Sequence, residues 1–146
     1  MTDERLDIRP GVAAILRNRD GRILLHRRRA GGGWAPLSGT MEPGEAVLDA
    51  LHREIAEETA LTVEVDRFVG VYSDPATQIV HYPDGRRIQF VTCLFVCRPV
   101  GGTFSGSSEG LDWDWFAPAR LPEPLTPYAQ IWLADGLRST AAPVLR

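Results

Sequence analysis

The chain has 146 residues, 44% of them hydrophobic and 24% charged, with a formal net charge of -3. That length suits one domain whose core needs no disulfide or metal staple. A weakly acidic chain is excluded as a general binder of large nucleic acids, which demand a basic face; a compact nucleotide stays open, because a metal ion can supply positive charge locally.

Thr2, Asp3, Glu4 and Arg5 make the N-terminus polar, unlike a signal peptide, and no apolar run reaches membrane-spanning length. A cytoplasmic protein with no membrane partner is the default expectation. No repeat, low-complexity tract or linker interrupts the chain, so residues 1–146 are expected to form one domain. Val12 to Leu16, then Asn18-Arg19-Asp20-Gly21, then Ile23-Leu24-Leu25 predict a hairpin, since Asp-Gly between apolar runs is a strong turn signal. Gly31-Gly32-Gly33 reads as a loop. Pro43-Gly44-Glu45 opens a predicted helix that runs to about Thr59, free of internal Gly and Pro.

Val63 to Tyr72 predicts a strand, and Arg87 to Cys97 a longer one, paired with Gln78 to Tyr82 across the Pro83-Asp84-Gly85 turn. Cys93 and Cys97 share one face of that strand roughly 13 Å apart, too far for a disulfide, and read as small buried hydrophobes. Trp113 to Phe116 is a short strand. Thr126 before Pro127 fits an N-cap and first-turn proline of a closing helix to about Leu137. Strands flanking a helix, with a second helix at the end, define a mixed α/β domain.

On the 45–59 helix, Leu48, Leu51 and Ile55 form one stripe, expected to face the core. Glu54, Glu57 and Glu58 form the adjoining stripe. Adjacent like charges cost a few tenths of a kcal/mol per pair, about, and Arg53 offsets only part of this. A hard divalent cation would relieve the conflict; a solvated acidic face is the other reading. Just upstream, Ser38-Gly39 is a place where the chain would turn tightly and expose backbone groups.

Gly39, five residues, Glu45, seven residues, then Arg53-Glu54-Ile55-Ala56-Glu57-Glu58-Thr59-Ala60-Leu61 resembles the Nudix box, matching eight of its nine specified positions over 23 residues. The resemblance extends over about residues 10 to 138, although only the box is specific. Two departures stand out. Ala60 replaces the second glycine of the box, which suits a left-handed helix end, at about 1 kcal/mol if that geometry is kept. Ser38 stands where many members have a further glycine, which would disturb the loop if it required positive φ.

The resemblance implies a Nudix fold, a mixed β-sheet sandwiched between helices (α/β/α), and a metal-dependent pyrophosphohydrolase. Water would attack phosphorus in a nucleoside diphosphate linked to another moiety, a nucleoside triphosphate or an ADP-ribose-like compound. Glu54, Glu57, Glu58 and a loop carbonyl of Ser38 are implied to bind Mg²⁺ or Mn²⁺. The general base is left between Glu54 and Glu109, with Asp112 and Asp114 as weaker alternatives. Arg53 is expected to orient Glu57, Glu45 to favour the helix N-terminus by its charge, and Gly39 to shape the loop. Arg28 is a candidate phosphate or nucleoside contact. Trp34, Tyr72 and Tyr82 are candidates to stack on a base, with packing the competing role for each. Asp74-Pro75 lies near a proline of ADP-ribose-cleaving members but is equally a plain turn. A small-molecule nucleotide is the expected partner, and a homodimer through the Gln78 to Cys97 hairpin is an open option. The rival reading is a non-catalytic nucleotide sensor on the same fold.

Overall fold

The computed structural model describes residues 5–28, 32–107, 110–139 and 142–146, with only the backbone of 110 and 111. In chain order its elements are β1 (Leu6–Leu16), β2 (Ile23–Arg28), β3 (Trp34–Ala35), β4 (Leu37–Thr40), α1 (Val47–Thr59), β5 (Leu61–Tyr72), α2 (Pro75–Gln78), β6 (Ile79–His81), β7 (Arg87–Gly102), β8 (Gly110–Phe116), α3 (Pro127–Gly136) and β9 (Val144–Leu145).

The main sheet runs β4-β1-β7-β5-β9, with β6 paired to β7; β3-β2-β8 form a second sheet. β1 and β7 are parallel, whereas β4 on β1 and β5 on β7 are antiparallel, so the main sheet is mixed. Val12 to Leu16 is buried without a break, as a strand covered on both faces must be. Alternation divides that run. Val12, Ala14 and Leu16 pack with Ala50, Leu51 and Ile55 of α1. Ala13 and Ile15 pack with Trp132 and Leu133 of α3 on the opposite face. Burial of Leu51 or Ile55 stabilises by about 1.5–3 kcal/mol each, and this holds α1 against the sheet.

Three expectations are corrected. The Asp20-Gly21 turn forms, fixed by the Asn18 side chain accepting from Asp20 N (3.1 Å) and Arg22 N (2.9 Å). Yet β1 and β2 do not continue as a hairpin. Beyond the Arg17–Ile23 bridge they part into different sheets, because β1 takes β4 and β7 as its neighbours. The buried stripe of α1 is Ala50, Leu51 and Ile55, while Leu48 is 48% exposed. The helix also begins later than expected, with Ala46 as its N-cap.

The closing helix forms as expected: Thr126 Oγ1 accepts from Ala129 N, and Pro127 fills the first turn. Asp74-Pro75 is likewise a local cap, with the Asp74 side chain accepting from Ala76 N (2.9 Å) at the start of α2. Cys93 and Cys97 are free thiols on the α1 side of β7. Burial pushes the Cys97 thiol up to about 12, which leaves it inert as a nucleophile. No described helix is long and apolar enough to cross a membrane.

Candidate active site

The acidic end of the site is built where β4 meets α1. Arg53 is its hub. Its Nε and Nη2 donate to the two carboxylate oxygens of Glu45 (2.7 and 2.8 Å), and Nη2 also donates to the Thr40 carbonyl (3.0 Å). Nη1 donates to Glu54 Oε1 (3.0 Å) and Glu57 Oε2 (3.2 Å). One guanidinium thus ties the end of β4, the loop before the helix and two of the three box glutamates. The fork geometry is what suits arginine to this task.

This corrects the expectation for Glu45. It lies outside the helix and serves as a clamp on Arg53, also accepting from Glu42 N (2.8 Å). The Arg53 hydrogen bond, then that from Glu42 N, holds its carboxyl down at about 2. The Arg53 guanidinium is shifted upward in turn, chiefly by Glu45. Arg53 does reach Glu57, as expected, but it reaches Glu54 as well.

Gly39 is corrected too. It lies in strand β4, paired with Val12, and makes no tight turn. Its lack of a side chain is needed because a β-carbon there would overlap the Glu54 carboxyl group. Ser38, paired with Ala13 in the same strand, needs no left-handed backbone; among the described residues Ala60 is the only non-glycine with positive φ. Ala60, at φ 61° and ψ 18°, keeps the left-handed helix end that the box glycine would occupy.

The three box glutamates diverge in environment. Glu58 is buried, with 3% of its surface exposed. Glu54 lies against Gly39, and Glu57 points outward with 60% of its side chain exposed. Among the described residues, no three His, Cys, Asp or Glu side chains stand close enough to hold an ion by themselves. The oxygen donors still suit a hard cation: Glu54 and Ser38 line the same cavity, whereas Glu58 is buried and does not line it. Gly39 leaves room for the Glu54 carboxylate to lie at the cavity wall.

Ser38, Gly39 and Glu54 line a cavity of about 680 Å³, within the usual size for a small-molecule site. Its other walls come from distant parts of the chain: Arg28 of β2, Gln78 of α2, Tyr82, Phe90 and Thr92 of the β6–β7 region, and Tyr128 and Trp132 of α3. Arg28 Nη1 donates to the Tyr128 hydroxyl at 2.8 Å. Burial works against the Arg28 charge, but the Tyr128 contact outweighs it and its pKa is raised. Arg27 faces outward to Asp112 (2.7 Å), which is the alternation expected of a strand end.

Two substrate candidates are corrected. Tyr72 is 2% exposed beneath α3, its hydroxyl donating to Asp135 Oδ2 (2.8 Å), so its ring cannot meet a nucleotide. Trp34 packs edge-on against Phe116 (5.1 Å between centroids) and is not part of the cavity. Asp112 and Asp114 also lie outside it, on β8. Glu109 falls outside the described residues. Sequence reading missed Gln78, Phe90, Thr92, Tyr128 and Trp132. None carries a motif, and only folding brings them together.

The family model for the NUDIX domain matches residues 7–136. The chain therefore belongs to the Nudix family. Its class is that of the Nudix hydrolases, among which relatives are named as pyrophosphatases. It is 33% identical over 126 residues to a "MutT-like protein" of Streptomyces ambofaciens, covering 86% of this chain and 75% of that one. It is also 33% identical over 123 residues to an "ADP-ribose pyrophosphatase" of Methanocaldococcus jannaschii, covering 82% and 69%. Among solved structures it resembles a MutT NUDIX hydrolase from Burkholderia pseudomallei, with a TM-score of 0.73 and 28% identity over 88% of this chain and 98% of that one.

Proposed function

We propose that this chain hydrolyses a phosphoanhydride bond in a nucleoside diphosphate linked to a second moiety, using Mg²⁺ or Mn²⁺. The observation that carries this reading is a single cavity lined by Glu54, which lies against Gly39, together with Arg28, Tyr82, Phe90, Tyr128 and Trp132. Such a lining offers carboxylate oxygen to a cation and cationic and aromatic groups to a nucleotide. The pyrophosphatase name of a relative supports the same bond as the target.

Glu54, Glu57, Glu58 and the Ser38 carbonyl are the groups that would hold the metal, with Glu57 released from Arg53. A bound divalent ion would neutralise the diphosphate and acidify water. Arg53, fixed by Glu45 and Thr40, holds Glu54 in place. Arg28 offers a guanidinium to a phosphate oxygen, steadied by Tyr128. Tyr82 supplies an aromatic face at the cavity wall for a base. Glu54 takes the proton of the attacking water, or Glu109 does so. Catalysis of this kind is positioning and charge stabilisation for the most part.

The test is a panel of nucleoside triphosphates and nucleotide-sugar diphosphates incubated with Mg²⁺, with products identified by phosphorus NMR. Cleavage between two phosphates of at least one compound is expected. Tight binding with no cleavage anywhere in the panel would replace the hydrolase reading with that of a nucleotide sensor.

A further inference from the structure

Resting on the reading of the cavity as the nucleotide site, we propose that Arg9 is a specificity residue for it. Arg9 binds an anionic group carried by the substrate's second moiety, so that a terminal phosphate is favoured over a neutral sugar. Arg9 lines the same cavity as Glu54 and Arg28, and it is exposed to solvent. Among the described residues its guanidinium has no ion pair and no hydrogen bond. Arg28, the other cation of this lining, is already held by Tyr128.

The sheet fixes the face on which Arg9 stands. Val12, Ala14 and Leu16 pack with α1, and Ala13 and Ile15 pack with α3. The two-residue period of β1 therefore puts Gly11 and Arg9 on the α3 face. β1 and β7 run in parallel register there, Gly11 beside Thr92 and Arg9 beside Phe90. A β-carbon at Gly11 would lie 3.1 Å from Thr92 Oγ1 and 3.5 Å from Phe90 Cδ1, which shows that this face of β1 is the Thr92 and Phe90 face of β7. Thr92 and Phe90 line the cavity, as Arg9 does.

Position and chemistry then select the ligand. Gly11 adds no side chain between Arg9 and Ala13, whose partner in β4 is Ser38. Roughly 13 Å of strand separates Arg9 from the level of Ser38. With the diphosphate beside Ser38 and Glu54, Arg9 meets a group set back from it. A guanidinium without a partner suits a phosphate or carboxylate, which it grips by two parallel hydrogen bonds. A plain nucleoside carries no charge at neutral pH, so an anion at that remove belongs to the second moiety. The competing account is a solvated cation that no substrate touches, acting on charged ligands only through its field.

Adenosine triphosphate and ADP-ribose separate these accounts, because they share a nucleoside diphosphate and end in a phosphate or a neutral ribose. Binding of their methylene-bridged analogues, which resist hydrolysis, is measured by calorimetry with Mg²⁺ for the parent protein, Arg9→Gln and Arg9→Glu. Circular dichroism checks the fold of each variant. Arg9→Gln should weaken the triphosphate analogue by about tenfold, as the loss of hydrogen bonds to a charged group does, and leave the ADP-ribose analogue within about twofold. Arg9→Glu should weaken the triphosphate analogue further, by setting like charges together, and it decides alone if Arg9→Gln fails to fold. The selective loss should persist in 1 M salt, where the screening length is about 3 Å and a field without contact is silenced. A selective loss below about threefold in the folded variants, which is under 1 kcal/mol, would overturn the proposal. So would an equal loss for both analogues, no binding of the triphosphate analogue by the parent, or disappearance of the selectivity in 1 M salt. Selective loss in binding without cleavage of either natural compound would leave the proposal standing and remove the hydrolase reading. Cleavage of both with no selective loss would do the reverse.

Discussion

The Glu54 carboxylate lies directly over the α-carbon of Gly39, so that strand β4 and helix α1 touch through a carboxyl group and a missing side chain. Glycine at 39 therefore acts as a recess for an acidic side chain, in an ordinary extended strand. Gly39→Ala should push Glu54 away from β4 and break its alignment with Arg53. A displacement of about 1 Å can cost a hundredfold in rate. Turnover is expected to fall by about that factor while circular dichroism stays unchanged; a fall of less than threefold would show that Glu54 need not sit there.

Ala60 is held at φ 61°, which strains a residue bearing a β-carbon. Ala60→Gly should stabilise the protein by about 0.5–1 kcal/mol, once the greater chain entropy of glycine is set against the relief. Thermal unfolding should rise by about 1–4 °C, with turnover unaltered. A lower melting temperature would mean that the helix end is not strained.

Glu45 gives the fold a dependence on acid. Its folded pKa, about 2, lies below the ordinary carboxyl value because Arg53 binds the charged form. Its contribution is thus fully present above the unfolded pKa of about 4.3 and is lost as pH falls towards 2. Urea denaturation at a series of pH values should show stability declining below about pH 5. Glu45→Gln should flatten that decline and lower stability at pH 7. An unchanged acid slope in the variant would contradict the clamp. Asp135 is depressed as well: burial pushes it up, but the hydrogen bonds from Arg146 and Tyr72 prevail, so some slope should remain.

Tyr72 supplies a test of the packing assignment. Tyr72→Phe removes a buried hydrogen bond to Asp135, a charged acceptor, and should cost about 1.5–3 kcal/mol of stability. KM should not change. A KM raised tenfold in a folded variant would return Tyr72 to the substrate site.

The Arg53–Glu57 contact was legible in the sequence, because residues four apart on a helix are neighbours whatever the tertiary structure, whereas the divergence of Glu54, Glu57 and Glu58 was not. The helix, the β6–β7 hairpin and the Thr126 cap were legible for the same reason, as local patterns. The split of β1 from β2 was not, since a turn motif fixes the turn and leaves the strands' partners to the sheet. Leu48 and Ala50 exchanged roles because the buried stripe of α1 is set by how the helix rolls on β1, and small Ala50 permits the closer approach. Glu45 was placed correctly in the box but given the wrong task, since its partner Arg53 is eight residues away and reaches it only across the chain's turn into the helix. Gln78 joins the cavity from α2 in mid-chain and Tyr128 and Trp132 from α3, so no spacing announces them.

The central claim is that Glu54 and Glu58 hold a divalent cation. It is tested most directly by electron paramagnetic resonance titration of Mn²⁺, with a bound nucleoside diphosphate, into the parent protein and the Glu54→Gln, Glu58→Gln double variant. The parent should bind Mn²⁺, and the folded variant should bind it at least about a hundredfold more weakly, since carboxylate charge dominates affinity for hard cations. Equal Mn²⁺ affinity in the two proteins would contradict the account.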